Sequence, residues 1–180
     1  LPAATTKTCS SGTTATAGSA TIVCEGGSSV NPLPSFLSFF NRSTAEDATI
    51  IANGASDSVS PAIVEFYGIT CAGNATVIVN GGTARGALGV DLSFYRNASA
   101  ANASFIINGG INGGSGGKLS FWDGALGGTA NVKLFDNGTL DLSNHDPGTV
   151  SLGAIEGTGL VSLGHTNLIV GTNNSSTIFL

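Results

Sequence analysis

Asp141, His145, Asp146 and, further along, Glu156 form the richest group of acid–base residues in this 180-residue chain. Glycan hydrolases and lyases need clustered carboxylates, often with Arg or Lys, for paired acid and base roles or for metal binding. Here the 11 acidic residues are scattered, and the segment around His145 reads NHDPG, a turn sequence. The group is therefore read as a polar turn joining two parts of the chain. His165, in a GHTN turn, is expected in solvent. No GxSxG elbow, P-loop or dinucleotide fingerprint occurs, and the runs GGINGGSGG and NGGTARG do not lead a strand into a helix. The expectation is a chain that is not an enzyme, with no catalytic residue and no cofactor.

Three cysteines, Cys9, Cys24 and Cys71, leave at least one without a partner in the chain. With no CxxC pair and no neighbouring His, no metal site is expected.

The elements that position these residues come in repeats. LSFF, VEFY, LSFY and LSFW place Phe at 39, 66, 94 and 121, and ten residues after each Phe a second block begins at Thr49, Thr76, Ser104 and Asn131. ATIVCEGG around Thr21 matches the second block, so an irregular first unit precedes the four clear ones. Each unit holds two short alternating strands, a small-residue corner and an Asn-Gly turn. No such unit buries its apolar face alone, whereas stacking units at about 4.8 Å per coil turns equivalent positions into interior columns. The fold expected is all-β: one parallel β-helix, right-handed by the general preference of β crossovers. Residues 1–36 would form an irregular first coil or cap, 37–143 coils of 27–28 residues, and 144–180 shorter coils.

Alternation assigns four inward columns: Leu37, Val64, Leu92, Leu119; Phe39, Phe66, Phe94, Phe121; Ile22, Ile50, Val77, Phe105, Val132; and Cys24, Ala52, Val79, Ile107, Leu134. Asn53, Asn80 and Asn108 share a turn position and are read as structural amides bonded along the stack. Phe40, Tyr67, Tyr95 and Trp122 each follow an inward Phe. Simple alternation turns them outward as an aromatic stripe able to contact a glycan or another solenoid, while a bend at the corner would tuck them under the chain. The alignment places Cys9 and Cys24 inward, where a disulfide across the terminal coil is one of two open outcomes. Cys71, two coils on, is out of reach of Cys24 and is expected as a free thiol.

The net charge of −5 and the absence of a basic run argue against nucleic acid as partner. No stretch approaches the roughly 20 apolar residues of a membrane-spanning helix. The LPAATTKTCS start suits a secreted chain whose leader has been removed. Asn41, Asn74, Asn97, Asn102, Asn137, Asn173 and Asn174 head Asn-x-Ser/Thr acceptor sites for glycosylation.

The units AGNATVIVNGG and AANASFIINGG, followed by GTLDLSNHDPGTVSLGAIEGTGLVSLGHTNLIVGTNNSSTIF, resemble the passenger regions of autotransporter-type bacterial surface proteins that carry AGNATI-x-NGG repeats. The resemblance implies an extracellular, secreted or surface-displayed β-helix serving as stalk, adhesin or matrix component, with no catalytic residues to carry across. The chain departs from that family in having cysteines. The function expected is a structural or adhesive solenoid that self-associates through its coil ends or its aromatic face. Carbohydrate binding on the aromatic stripe is the alternative, with ice binding on the interrupted Thr21, Thr49, Thr76 row and glycan-directed catalysis behind it.

Overall fold

The computed structural model describes residues 15–174, 178 and 179. Among these, β1 (Thr21–Cys24), β3 (Thr49–Ala52), β5 (Thr76–Val79), β7 (Ser104–Ile107), β9 (Asn131–Leu134) and β12 (Ala154–Gly157) follow one another across one sheet. A second sheet contains β2 (Phe36–Phe39), β4 (Ile63–Gly68), β6 (Asp91–Arg96), β8 (Lys118–Phe121), β10 (Thr139–Asp141) and β13 (Leu160–Ser162). A short third side pairs β11 (Thr149–Leu152) with β14 (Asn167–Val170). Earlier coils are joined on that side by single bridges, Thr44 to Cys71, Cys71 to Ser99 and Ser99 to Leu126. All pairings are parallel, so each strand lies on its equivalent in the previous coil, and the molecule is a parallel β-solenoid.

The register matches the repeat. Phe39 pairs with Phe66, Phe66 with Phe94 and Phe94 with Phe121, while Ile50, Val77, Phe105 and Val132 align across the other sheet. The inward columns are buried, with Leu37 and Ile22 only partly so in the first coil. Phenylalanine repeated at one position lets the rings stack nearly parallel, Phe39 on Phe66 and Phe66 on Phe94 with centroids 4.6 Å apart, and Phe94 on Phe121 at 5.2 Å. Phe105, from the opposite sheet, meets Phe94 edge-on at 5.8 Å. Burial of each large side chain supplies about 1.5–3 kcal/mol before ordering entropy is counted.

Corners turn through left-handed backbone at equivalent positions. Asn41, Gly68, Arg96 and Asp123 follow the four aromatic positions, and Gly18, Glu46, Gly73, Ala101 and Gly128 form a second series. At Gly73 the restriction is doubled, because a Cβ there would sit 2.8 Å from the Cα of Glu46 one coil earlier.

Coil shortening begins before the NHDPG turn. Leu119 pairs with Leu140, only 21 positions on, because residues 135–138 form a tight turn where the preceding coil spends residues 108–117. Beyond it, β13 and β14 lie at sheet edges and carry the exposed Leu160 and Ile169.

Candidate functional site

The outer face of the second sheet carries the aromatic stripe. Alternation after the inward Phe sends Phe40, Tyr67, Tyr95 and Trp122 outward, and successive rings touch at centroid distances of 6.1, 5.9 and 5.7 Å. Phe40 is 52% exposed and the other three are half-buried. The rings do not stand free. Ser93 and Ser120 belong to the same outer face yet are only 2% exposed, and the Ser93 hydroxyl donates to Asp91 at 2.9 Å. A side chain pointing away from a sheet is buried only when something lies across it, so the aromatic side chains lean along the face.

Two consequences follow. Burial pushes the Tyr95 phenol above its ordinary pKa; Glu65 and Asp91 add to the rise, while the nearby Ser93 hydroxyl and Lys118 oppose it. Ring faces are also partly spent on one another, most fully where Tyr95 and Trp122 stack at an interplanar angle of 29°. Arg96 donates through Nε to the Tyr67 hydroxyl, and Lys118 pairs with Asp91 at 3.0 Å beside the stripe. The Trp122 indole nitrogen is buried without a hydrogen-bond partner.

Two polar columns run along the axis. Asn53 donates its amide N–H to Glu25 Oε2 at 3.0 Å, Asn80 donates to Asn53 Oδ1 at 2.8 Å, and Asn108 donates to Asn80 Oδ1 at 2.7 Å. Because every amide carries a donor and an acceptor, identical residues at the coil repeat link into a chain. The second column, Asn74 to Asp47 at 3.0 Å, Asn102 to Asn74 at 3.2 Å and the Thr129 hydroxyl to Asn102 at 2.6 Å, was legible in the sequence only as glycosylation motifs. The signal that finds it is the recurrence of Asn at 74 and 102 in the small-residue corners.

The acid–base group is dispersed. Asp141 accepts from the Ser143 backbone and hydroxyl, and Glu156 pairs with Lys133 at 3.1 Å on the other sheet. His145 has Nε2 2.9 Å from the Ala125 carbonyl and Nδ1 2.7 Å from that of Asp146. Each of these three is tied into its own turn or strand rather than aimed at a shared point. Among the described residues no group of three His, Cys, Asp or Glu could hold a metal ion.

The cysteine assignments require correction. Cys24 is a free, buried thiol, so it is not half of a Cys9–Cys24 disulfide, and Cys71, expected free, is disulfide-bonded. Cys24 ends β1 directly beneath Ala52, with its side chain in the core column, and Cys71 occupies the third side, where its sulfur also accepts from the Gly73 N–H. Cys24 and Cys71 are not joined to each other, as their axial separation leads one to expect, but distance from Cys24 does not by itself leave Cys71 free. Cys9 lies outside the described residues. Burial, then the neighbouring Glu25 charge, raises the Cys24 thiol pKa.

Of the glycosylation motifs, Asn41, Asn74, Asn97, Asn102, Asn137 and Asn174 are exposed, and Asn173 is half-buried. Asn74, Asn102, Asn137 and Asn173 use their side-chain amides as donors to other coils.

No protein-family model, curated protein or solved structure matches this chain.

Proposed function

We propose that this protein is a non-catalytic extracellular β-solenoid with a structural or adhesive role, and that its aromatic stripe is the surface through which copies associate. The observation that carries this reading is the unbroken contact of Phe40, Tyr67, Tyr95 and Trp122 on one outer face. A contiguous apolar strip framed by polar residues is the usual mark of a contact surface. Half-exposed rings that lean on one another form a low, firm ridge, which suits packing against a second flat sheet face better than enclosing a small ligand. Phe36, 60% exposed on β2, extends the apolar area at the Phe40 end. The autotransporter-like repeats support the same assignment and the extracellular location. Exposed Asn41, whose side chain makes no hydrogen bond to another coil, is the acceptor we assign to glycosylation.

Sedimentation velocity across a concentration series tests the reading. The wild-type chain is expected to associate, and Phe40→Glu to remain monomeric with an unchanged unfolding midpoint. A wild-type chain that stays monomeric throughout, or a Phe40→Glu variant that associates equally well, overturns it.

A further inference from the structure

A polar trough lies along the solenoid beside the first sheet, away from the aromatic stripe. It has a volume of about 590 Å³ and crosses four successive coils. One wall is the amide column of Asn53, Asn80 and Asn108, ending at Glu25, and the other is the row Ser28, Ser56 and Thr83, which ends on the apolar Ile111. The floor is glycine, for a steric reason: a Cβ on Gly26 would fall 2.3 Å from the carbonyl oxygen of Gly54, and one on Gly54 equally close to that of Gly81. Coil packing thus keeps the floor bare and leaves the walls as the chemistry.

The amides retain unused capacity. Each of Asn53, Asn80 and Asn108 spends one N–H on the preceding coil, and a primary amide has two. The Asn108 carbonyl oxygen accepts nothing from another coil. The two middle coils therefore repeat one motif at about 4.8 Å per coil, an amide N–H donor on one side and a hydroxyl, both donor and acceptor, on the other, while Glu25 faces Ser28 at one end and Asn108 faces Ile111 at the other.

We infer that this trough is a binding site for an extended, uncharged polysaccharide lying parallel to the solenoid axis. A chain of pyranose rings linked through opposite ring positions advances at a pitch close to that of the coils. Because every ring carries hydroxyls on both edges, successive rings, though turned over, can each reach an amide at Asn53 or Asn80 on one side and a hydroxyl at Ser56 or Thr83 on the other. An extended polypeptide rises about 3.3 Å per residue and falls out of step with coils about 4.8 Å apart. No lining residue is basic and Glu25 is acidic, so a uronate polymer or nucleic acid finds no counter-charge. The volume falls in the range of established ligand sites, about 300–1,000 Å³. The inference is independent of the aromatic stripe and of self-association.

Titration calorimetry of the whole chain with cello- and xylo-oligosaccharides tests it, with oligogalacturonate and an extended polythreonine peptide as competing occupants. At least one neutral series is expected to bind, tightening at least about tenfold from disaccharide to tetrasaccharide as more of the four coils are engaged and levelling off for longer chains. Ser56→Trp, at an exposed position whose hydroxyl bonds no other coil, is expected to fill the trough and weaken binding at least about tenfold with an unchanged unfolding midpoint. Phe40→Glu is expected to bind as the wild type does, even where it abolishes association. Failure of both neutral series to bind overturns the inference. So does undiminished binding by Ser56→Trp, or binding of only the uronate or the peptide.

Discussion

Phe94→Ala and Phe39→Ala remove the same side chain from one column at two depths. Phe94 is wholly buried between Phe66 at 4.6 Å and Phe121 at 5.2 Å, with Phe105 edge-on at 5.8 Å. Phe39 is 7% exposed and has a single ring neighbour, Phe66. Truncating a core Phe to Ala costs about 3–5 kcal/mol, combining lost transfer energy with the cavity left behind. Each aromatic pair adds about 0.5–1.5 kcal/mol beyond burial, so losing two more pairs makes Phe94→Ala about 1–3 kcal/mol more destabilising than Phe39→Ala. The first coil can also settle into its cavity, whereas a central coil is held by neighbours on both sides. Urea unfolding followed by far-ultraviolet circular dichroism measures both, compared at matched slopes. If slopes differ because coils unfold separately, native-state amide exchange in β5 and β7 gives the local value. Equal costs, or a larger cost at Phe39, would refute the claim that ring stacking along the axis is what distinguishes the interior coils.

Asn80→Val removes the bonds to Asn53 and from Asn108 together, and with water able to reach the orphaned amides a loss of about 1–2 kcal/mol is expected in thermal unfolding. Ala101 holds a φ of 51°, so Ala101→Gly should stabilise the fold by up to about 1 kcal/mol, read as a raised urea midpoint. The raised pKa of Tyr95 means that its contribution to stability is intact below the ordinary phenol pKa of about 10 and is lost as pH climbs through the higher folded-state value. Tyr95→Phe should accordingly lose less stability than wild type between about pH 9 and pH 11, measured by denaturant midpoints. Cys24, buried with a raised thiol pKa, should resist iodoacetamide in the native chain and be alkylated at once in denaturant without reductant, with Cys71 protected until a reductant is added; mass spectrometry of the peptides distinguishes the two.

The interior of this fold was legible because it depends on two signals a sequence carries directly, period-two alternation and a repeat length. Both give the Phe39 to Phe121 and Ile22 to Val132 columns with their observed register. The chemistry of the surface was less legible because it depends on side-chain direction after the strand ends. Alternation placed Tyr95 and Ser93 outward but could not show Ser93 buried on that face, and the glycosylation motif at Asn74 gave no sign that its amide reaches Asp47. Cysteine pairing was not legible either, since the spacing of three cysteines in a sequence does not fix which two are joined.

Interior and exterior columns also differ in what can extend them. Burial is indifferent to side-chain identity, so Phe105 follows Val77 and Val132 follows Phe105 without interrupting the core. An amide column has polarity: each member donates toward the earlier coil and accepts from the later one. A carboxylate only accepts, so it can close such a column at the early end alone, and Glu25 and Asp47 both stand there. Closure at the late end needs a group that donates without requiring an acceptor beyond it, as the Thr129 hydroxyl does for Asn102, or one that makes no such bond at all, as Phe135 does beyond Asn108. The outer columns therefore have defined first and last members, and at the late end the core continues past them through β9 and β12. The trough takes its length and direction from this polarity, running from a charged acceptor at Glu25 to an open carbonyl at Asn108. A bound chain would meet different chemistry at its two ends, and the site can select the orientation of its ligand as well as its repeat.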